Sequence, residues 1–240
     1  VAQPFFHGTL RDLGGATANL WGARCGQRPA SGAGEKPCLR PSCLAPSRCP
    51  RLALDQREYL RLLEEVARLP GVKHVFVSSG LRYDLLAEKD GQSLLAGLLA
   101  RHLSGWLKIA PEHFSDPVLA RMRKPAHARY EAFLEIFRRL SRDAPVRCRL
   151  VHYLIAGHPG ATLREEEDAA RWAARHGLEE LSVQEFYPAP LTPSSVMYHA
   201  GLDPFDGKPV AGCRTLAEKA AGKRAWQRAA RQDRNYDEAG

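Results

Sequence analysis

Between residues 55 and 69 the chain reads DQREYLRLLEEVARL, placing Tyr59, Leu62, Leu63, Val66 and Leu69 on one face of a helix. A β-branched run over 72–78 (VKHVFVS), ended by Ser-Gly, predicts a strand. The same reading gives a helix over 93–103 and a strand over 105–110 (GWLKIA) stopped by Pro111. A short helix near 116–123 and a longer one from about 127 to 142 follow. A strand over 147–155 (RCRLVHYLI) is closed by Gly157, Pro159 and Gly160, and an acid-started amphipathic helix covers 163–176. A last strand, 181–186 (LSVQEF), ends at Tyr187-Pro188, and from about 215 the pattern is helical and polar. Upstream, Phe5 to Leu10 predicts the first strand, ending at the turn-rich DLGG. Strands that alternate with helices, without hairpin signals, predict right-handed βα units and a parallel sheet or barrel.

Such folds collect chemistry at the carboxyl ends of their strands. There the sequence sets Asp12 to Asn19 (DLGGATAN), Ser79 to Asp84 (SGLRYD), Ala110 to His113 (APEH), Ala156 to Gly160 (AGHPG) and Glu185 to Pro188 (EFYP). Each strand therefore delivers a glycine, a carboxylate or a histidine to one rim. Each residue also has a plain structural use. Gly14 and Gly15 fit a strand-end turn. Glu112 and His113, after a proline, fit a helix start, with the acid favoured there by the helix dipole. Gly157 and Gly160 fit a βα turn, and without a GK[ST] ending they do not form a phosphate-cradling P-loop. His152 fits a hydrogen-bonded position inside its strand, Cys148 a small core residue, and Arg82, Tyr83 and Asp84 either a structural ion pair or a substrate contact.

Composition narrows the class. The 240 residues are 44% hydrophobic, with no apolar run near the ~20 residues of a membrane span, so a soluble globular protein without a membrane partner is expected. No charged-then-apolar signal segment opens the chain. The net charge of +8 raises RNA as a partner. However, the excess arginine over 129–149 and 214–234 is interleaved with acids, and no RNP, zinc-finger or helix-turn-helix pattern accompanies it. No nucleophile elbow or HExxH pattern supports a conventional hydrolase.

Four of the six cysteines, Cys25, Cys38, Cys43 and Cys49, follow a C-x12-C-x4-C-x5-C spacing in a stretch rich in Gly, Pro and Arg that is read as irregular. Four thiolates on one loop suit tetrahedral Zn or an iron–sulfur cluster. The spacing leaves the metal open. Cys148 and Cys213 stand apart, which fits a reducing, cytoplasmic setting better than a disulfide framework.

DLGGATAN, CLRPSCLAPSRCP, SSGLRYDLL, LKIAPEH with the LARMRKP helix, IAGHPG and QEFYPAP occur in this order. Together they resemble the YgiQ-type radical S-adenosylmethionine (SAM) proteins over roughly residues 5 to 200, with the tail after about 205 departing. The resemblance implies an α/β fold, a partial (β/α) TIM-like barrel of the radical SAM type. A four-iron, four-sulfur (4Fe-4S) cluster on a CxxxCxxC loop would cleave SAM to a 5′-deoxyadenosyl radical, which abstracts hydrogen from a substrate the sequence does not name. Phe5–Leu10 then corresponds to the second barrel strand. Gly14 and Gly15 receive the methionine amino group. Glu112, with His113 beside it, meets the ribose or carboxylate. Gly157, His158, Pro159 and Gly160 lie beside the adenine, as do Gln184 and Tyr187. An electron donor such as a flavodoxin or ferredoxin is the implied partner.

The chain departs from that family in containing no CxxxCxxC and no strand to precede one. With Val as first residue, it reads as the carboxyl-terminal portion of a longer enzyme. Residues 1–204 are expected to form the partial barrel, lacking its first strand and carrying a cysteine-rich insertion at about 22–52. Residues 205–240 form a polar, partly helical tail. The cysteine loop is then an auxiliary site for Zn or a second iron–sulfur centre. A non-catalytic metal-binding remnant and an RNA-modifying module are the alternative readings.

Overall fold

The computed structural model describes residues 3–26, 38, 40, 42–45, 47–178, 180–212 and 215–237, with side chains as far as 228. The chain divides into two compact units: Val1–Ala110 with Ala128–Leu150, and Pro111–His127 with Val151–Gly240.

In the first unit, β1 (Thr9–Arg11) pairs in parallel with β4 (His74–Phe76), Thr9 opposite His74 and Arg11 opposite Phe76. The first strand is shorter than the aromatic run promised, because Gly8 adopts φ +95° and Phe5 is exposed. A parallel bridge joins Leu81 to Ile109 of β5 (Trp106–Glu112). Pro111 does not stop β5, which continues to Glu112. Proline's fixed φ is compatible with extended backbone and removes only one donor. The cysteine stretch is not wholly irregular, since β2 (Arg24–Cys25) and β3 (Leu52–Ala53) pair antiparallel.

The helix α1 (Gln56–Ala67) begins where the Asp55 carboxylate accepts from the Arg57 amide. It buries Tyr59 and Leu63, and it packs on α3 (Lys89–Gly97). That packing requires small residues. A Cβ on Gly97 would strike the Leu60 side chain, and one on Gly91 would overlap the Leu85 carbonyl oxygen. A π-helical turn, Leu98–His102, continues α3. The short α2 (Tyr83–Leu86), absent from the sequence reading, buries Tyr83 edge-on to Tyr130 of α5 (His127–Ser141).

In the second unit, β6 (Arg149–Ala156) pairs in parallel with β7 (Glu180–Glu185), Val151 opposite Glu180 and Ala156 opposite Glu185. Between them α6 (Leu163–Arg175) starts with a reciprocal capping box, Thr162 and Glu165. Two more helices are α4 (Asp116–Arg121) and α7 (Pro193–Ala200), the latter not foreseen. The polar tail forms α8 (Leu216–Asp237), which packs on α6 and β7 and buries Trp226 completely. Cys148, expected in a core, is half-buried, and burial still pushes its thiol up to about 11. The fold is thus mixed α/β with small parallel sheets, and the described strands close no barrel.

Candidate functional site

The loop after β1 is held by Asp12, itself at φ +59°. Its Oδ1 accepts from the amides of Ser78 at 2.8 Å and Ser79 at 2.5 Å, tying the carboxyl end of β1 to that of β4. Asn19 adds a second tie, because its amide donates to the Arg82 carbonyl while its Oδ1 accepts from the Arg82 amide. Arg82 in turn makes a two-pronged ion pair with Asp84 at 3.0 and 2.8 Å, the structural use foreseen for these residues.

The two glycines of this loop differ in what they do. Both have positive φ, +94° and +92°. A Cβ on Gly14 would sit 2.8 Å from the Tyr59 ring, whose hydroxyl donates to the Leu13 carbonyl at 2.6 Å. Gly14 is therefore required by packing. Gly15 has nothing within 4 Å of where its Cβ would be. Its backbone faces open space that a ligand's ammonium could approach.

In the second unit the residues after β5 and β6 converge on a carboxylate the sequence reading passed over. Glu166 of α6 is fully buried. It accepts from the Gly157 amide at 2.6 Å and from Trp226 Nε1 at 2.6 Å. His113 Nε2 lies 3.5 Å from its Oε2. The Ser115 amide donates to His113 Nδ1, so the ring proton sits on Nε2, which has no hydrogen-bond partner. His158 is buried, with Nε2 on the Ser194 hydroxyl at 2.8 Å and Nδ1 without a partner. Burial pushes its pKa down to about 4, so the ring is neutral.

Gly157 and Gly160 are glycines for structural reasons. A Cβ on Gly157 would meet Lys219 of α8 at 2.7 Å, and one on Gly160 would meet Arg121 at 3.1 Å. Lys219 is itself buried. Its ammonium donates to the Phe186 carbonyl at 3.3 Å and lies 5.1 Å from the Tyr198 ring. Glu112 adopts φ +68° and accepts from Lys124 at 2.9 Å, so this carboxylate carries a strained backbone and a cationic partner. Gln184 and Tyr187 are exposed. Pro159 completes the tight turn between Gly157 and Gly160.

Of the four clustered cysteines, Cys25 and Cys49 are half-buried, and Cys38 and Cys43 are exposed. The β2–β3 pair and the bond from the Cys49 amide to the Cys43 carbonyl, 2.8 Å, draw parts of the loop together. Among the described residues, however, no group of three or more His, Cys, Asp or Glu side chains is arranged to hold a metal ion. The donor chemistry suits a soft metal, but these four thiols do not converge as placed. Cys213 lies outside the described residues.

A chemically blind pattern search could not have found Glu166 or Lys219. They sit at ordinary polar positions at the start of their helices, and only their burial marks them. Asn19 was within reach, since a side-chain amide after a Gly-Gly turn is a common loop tie.

No family model matches the chain. Relatives are found among curated proteins. A UPF0313 protein of Methanosarcina mazei is 41% identical over 218 residues, which is 91% of this chain and 34% of the relative. A UPF0313 protein of Geobacter sulfurreducens is 42% identical over 88% of this chain and 34% of its own length. One of Pseudomonas aeruginosa is 38% identical over 84% of this chain and 26% of its own. The chain spans about a third of the length of these relatives, or less. The first match leaves only 22 of the 240 residues outside it. It therefore runs past residue 205, and the tail does not depart from the family where expected. The order of motifs and these identities agree, and the chain belongs to the UPF0313 family, the YgiQ-type proteins.

Proposed function

We propose that the chain is the SAM-facing portion of a radical SAM enzyme built on a partial (β/α) barrel, with the cysteine loop as an auxiliary site whose four thiols a metal ion would have to draw together on binding. The observation that carries this reading is Gly15. It lies just past the carboxyl end of a parallel strand, at φ +92°, with open space where a side chain would be. That is the geometry a close-approaching ammonium needs.

In the first unit, the Gly15 backbone would take the methionine amino group. SAM together with a reduced iron–sulfur cluster supplies hydrogen abstraction. This chain's residues bind and orient.

The test is anaerobic iron, sulfide and zinc analysis combined with SAM titration. Saturable SAM binding is expected, weakened at least tenfold by Gly15→Val, with the melting temperature lowered only by the strain of a side chain at positive φ. Cys43→Ser should lower bound metal and stability together. Absence of saturable SAM binding, or unaltered affinity in Gly15→Val, overturns the assigned rim. Unchanged metal in Cys43→Ser removes the metal site.

A further inference from the structure

At the end of the first unit opposite the glycine turn, a cavity of about 310 Å³ opens beside the start of β4. Its walls are Glu64, Ala67 and Arg68 from α1 and its cap, Lys73, His74 and Val75 at the start of β4, and Arg101 and His102 from the π-helical turn. Three of these side chains are permanent cations and one is a carboxylate. Glu64 is already engaged, 2.6 Å from Arg101 and 3.9 Å from Arg68, so it orients those two guanidiniums while leaving a local surplus of positive charge. Lys73 is anchored by its stem, since a Cβ on Gly8 would fall 2.7 Å from Lys73 Cγ.

The buried histidine of this wall has an unused nitrogen. His102 is 2% exposed. Its Nδ1 lies 2.9 Å from the Val75 carbonyl, which can only accept, so the proton is on Nδ1. Nε2 is screened from solvent and has no hydrogen-bond partner. Such an atom is costly to leave unmatched. Burial lowers the pKa of this ring, with Arg101 lowering it further against the raising effects of the Val75 carbonyl and Glu64, so it is neutral without a ligand.

We propose that this cavity binds a phosphate group, as inorganic phosphate or a small phosphate monoester, held by Arg68, Lys73 and Arg101 with His102 behind them. Two net positive charges match a dianion, and guanidiniums suit phosphoryl oxygens. The volume lies at the small-molecule end of ligand cavities. The charged and titratable groups facing His102 are Glu64 and Arg68 of α1, Lys73 and His74 at the start of β4, and Arg101 beside it. A dianion added among them favours the protonated imidazole. His102 Nε2 therefore either takes up a proton with the ligand or accepts a hydrogen bond from a phosphate hydroxyl.

Isothermal titration of the chain with inorganic phosphate should show saturable binding. Lys73→Ala and Arg101→Ala, both at exposed positions, should each weaken it at least tenfold without lowering the melting temperature. Sulfate, a dianion across the working range, should bind more tightly at pH 6 than at pH 8, by up to about tenfold per unit for one proton taken up. His102→Gln should flatten that dependence. Absence of saturable phosphate binding at millimolar concentration overturns the site, as does equal binding by both alanine variants. Displacement by RNA but not by a phosphate monoester also overturns it, in favour of a nucleic-acid surface.

Discussion

Glu166 ties α6 to the Gly157 turn and to α8 from inside the second unit. A carboxylate with no exposure accepts from one backbone amide and one indole, and it faces a histidine N–H. Replacing it by alanine strands those donors in the interior, where each unmatched group costs about 1–3 kcal/mol. Glu166→Ala should therefore lose about 3 kcal/mol or more in urea unfolding. The same unit also carries an acid sensitivity. Burial holds His152 and His158 each at about 4 in the folded chain. Unfolded, both would titrate near the ordinary 6.5, so the unfolded chain binds protons first as pH falls. Stability is full above pH 6.5 and declines toward pH 4, by up to about 3 kcal/mol per ring. Denaturant midpoints at pH 7.5 and 5 check this, and equal midpoints would contradict it.

At the scale of elements, the helices were legible wherever a full apolar stripe and a cap coincided. The run 55–69 became α1 behind Asp55, and 163–176 became α6 behind Thr162. The misses have local causes. A four-residue helix such as α2 is too short to show a period. The β2–β3 pair is made by partners 27 and 29 residues apart, which no local pattern reveals. Gly8 broke a strand whose side chains all favoured it. Glycine also sets how closely α1 and α3 approach. Gly91→Ala should destabilise by about 1–3 kcal/mol through overpacking on Leu85 and Gln56. Gly15→Ala, with no atom to displace, should cost only the strain of its positive φ. Thermal melts of the two variants separate these cases, and equal losses would refute the packing argument.

For the whole molecule, the turns that follow the strands were readable because strand ends are marked by turn residues. What those residues do was only half readable. Gly14, Gly157 and Gly160 proved to make room for neighbours, whereas Gly15 remains open, and that distinction depends on atoms far away in the sequence. The net charge of +8 suggested a diffuse basic surface. Three of its cations instead line one cavity around a buried imidazole. The cysteine spacing announced thiol chemistry without saying which thiols meet.

The burial of Trp226 has an optical consequence. Of the four tryptophans, Trp21 and Trp106 are exposed and Trp172 is half-buried, while Trp226 is sealed against α6 with its indole N–H on a carboxylate. The blue edge of the intrinsic fluorescence therefore belongs to one residue of α8. Any event that lifts this helix from the Gly157 turn hydrates that indole and shifts its emission to the red. The protein carries a built-in dye at the seam between its last helix and the turn beside His158.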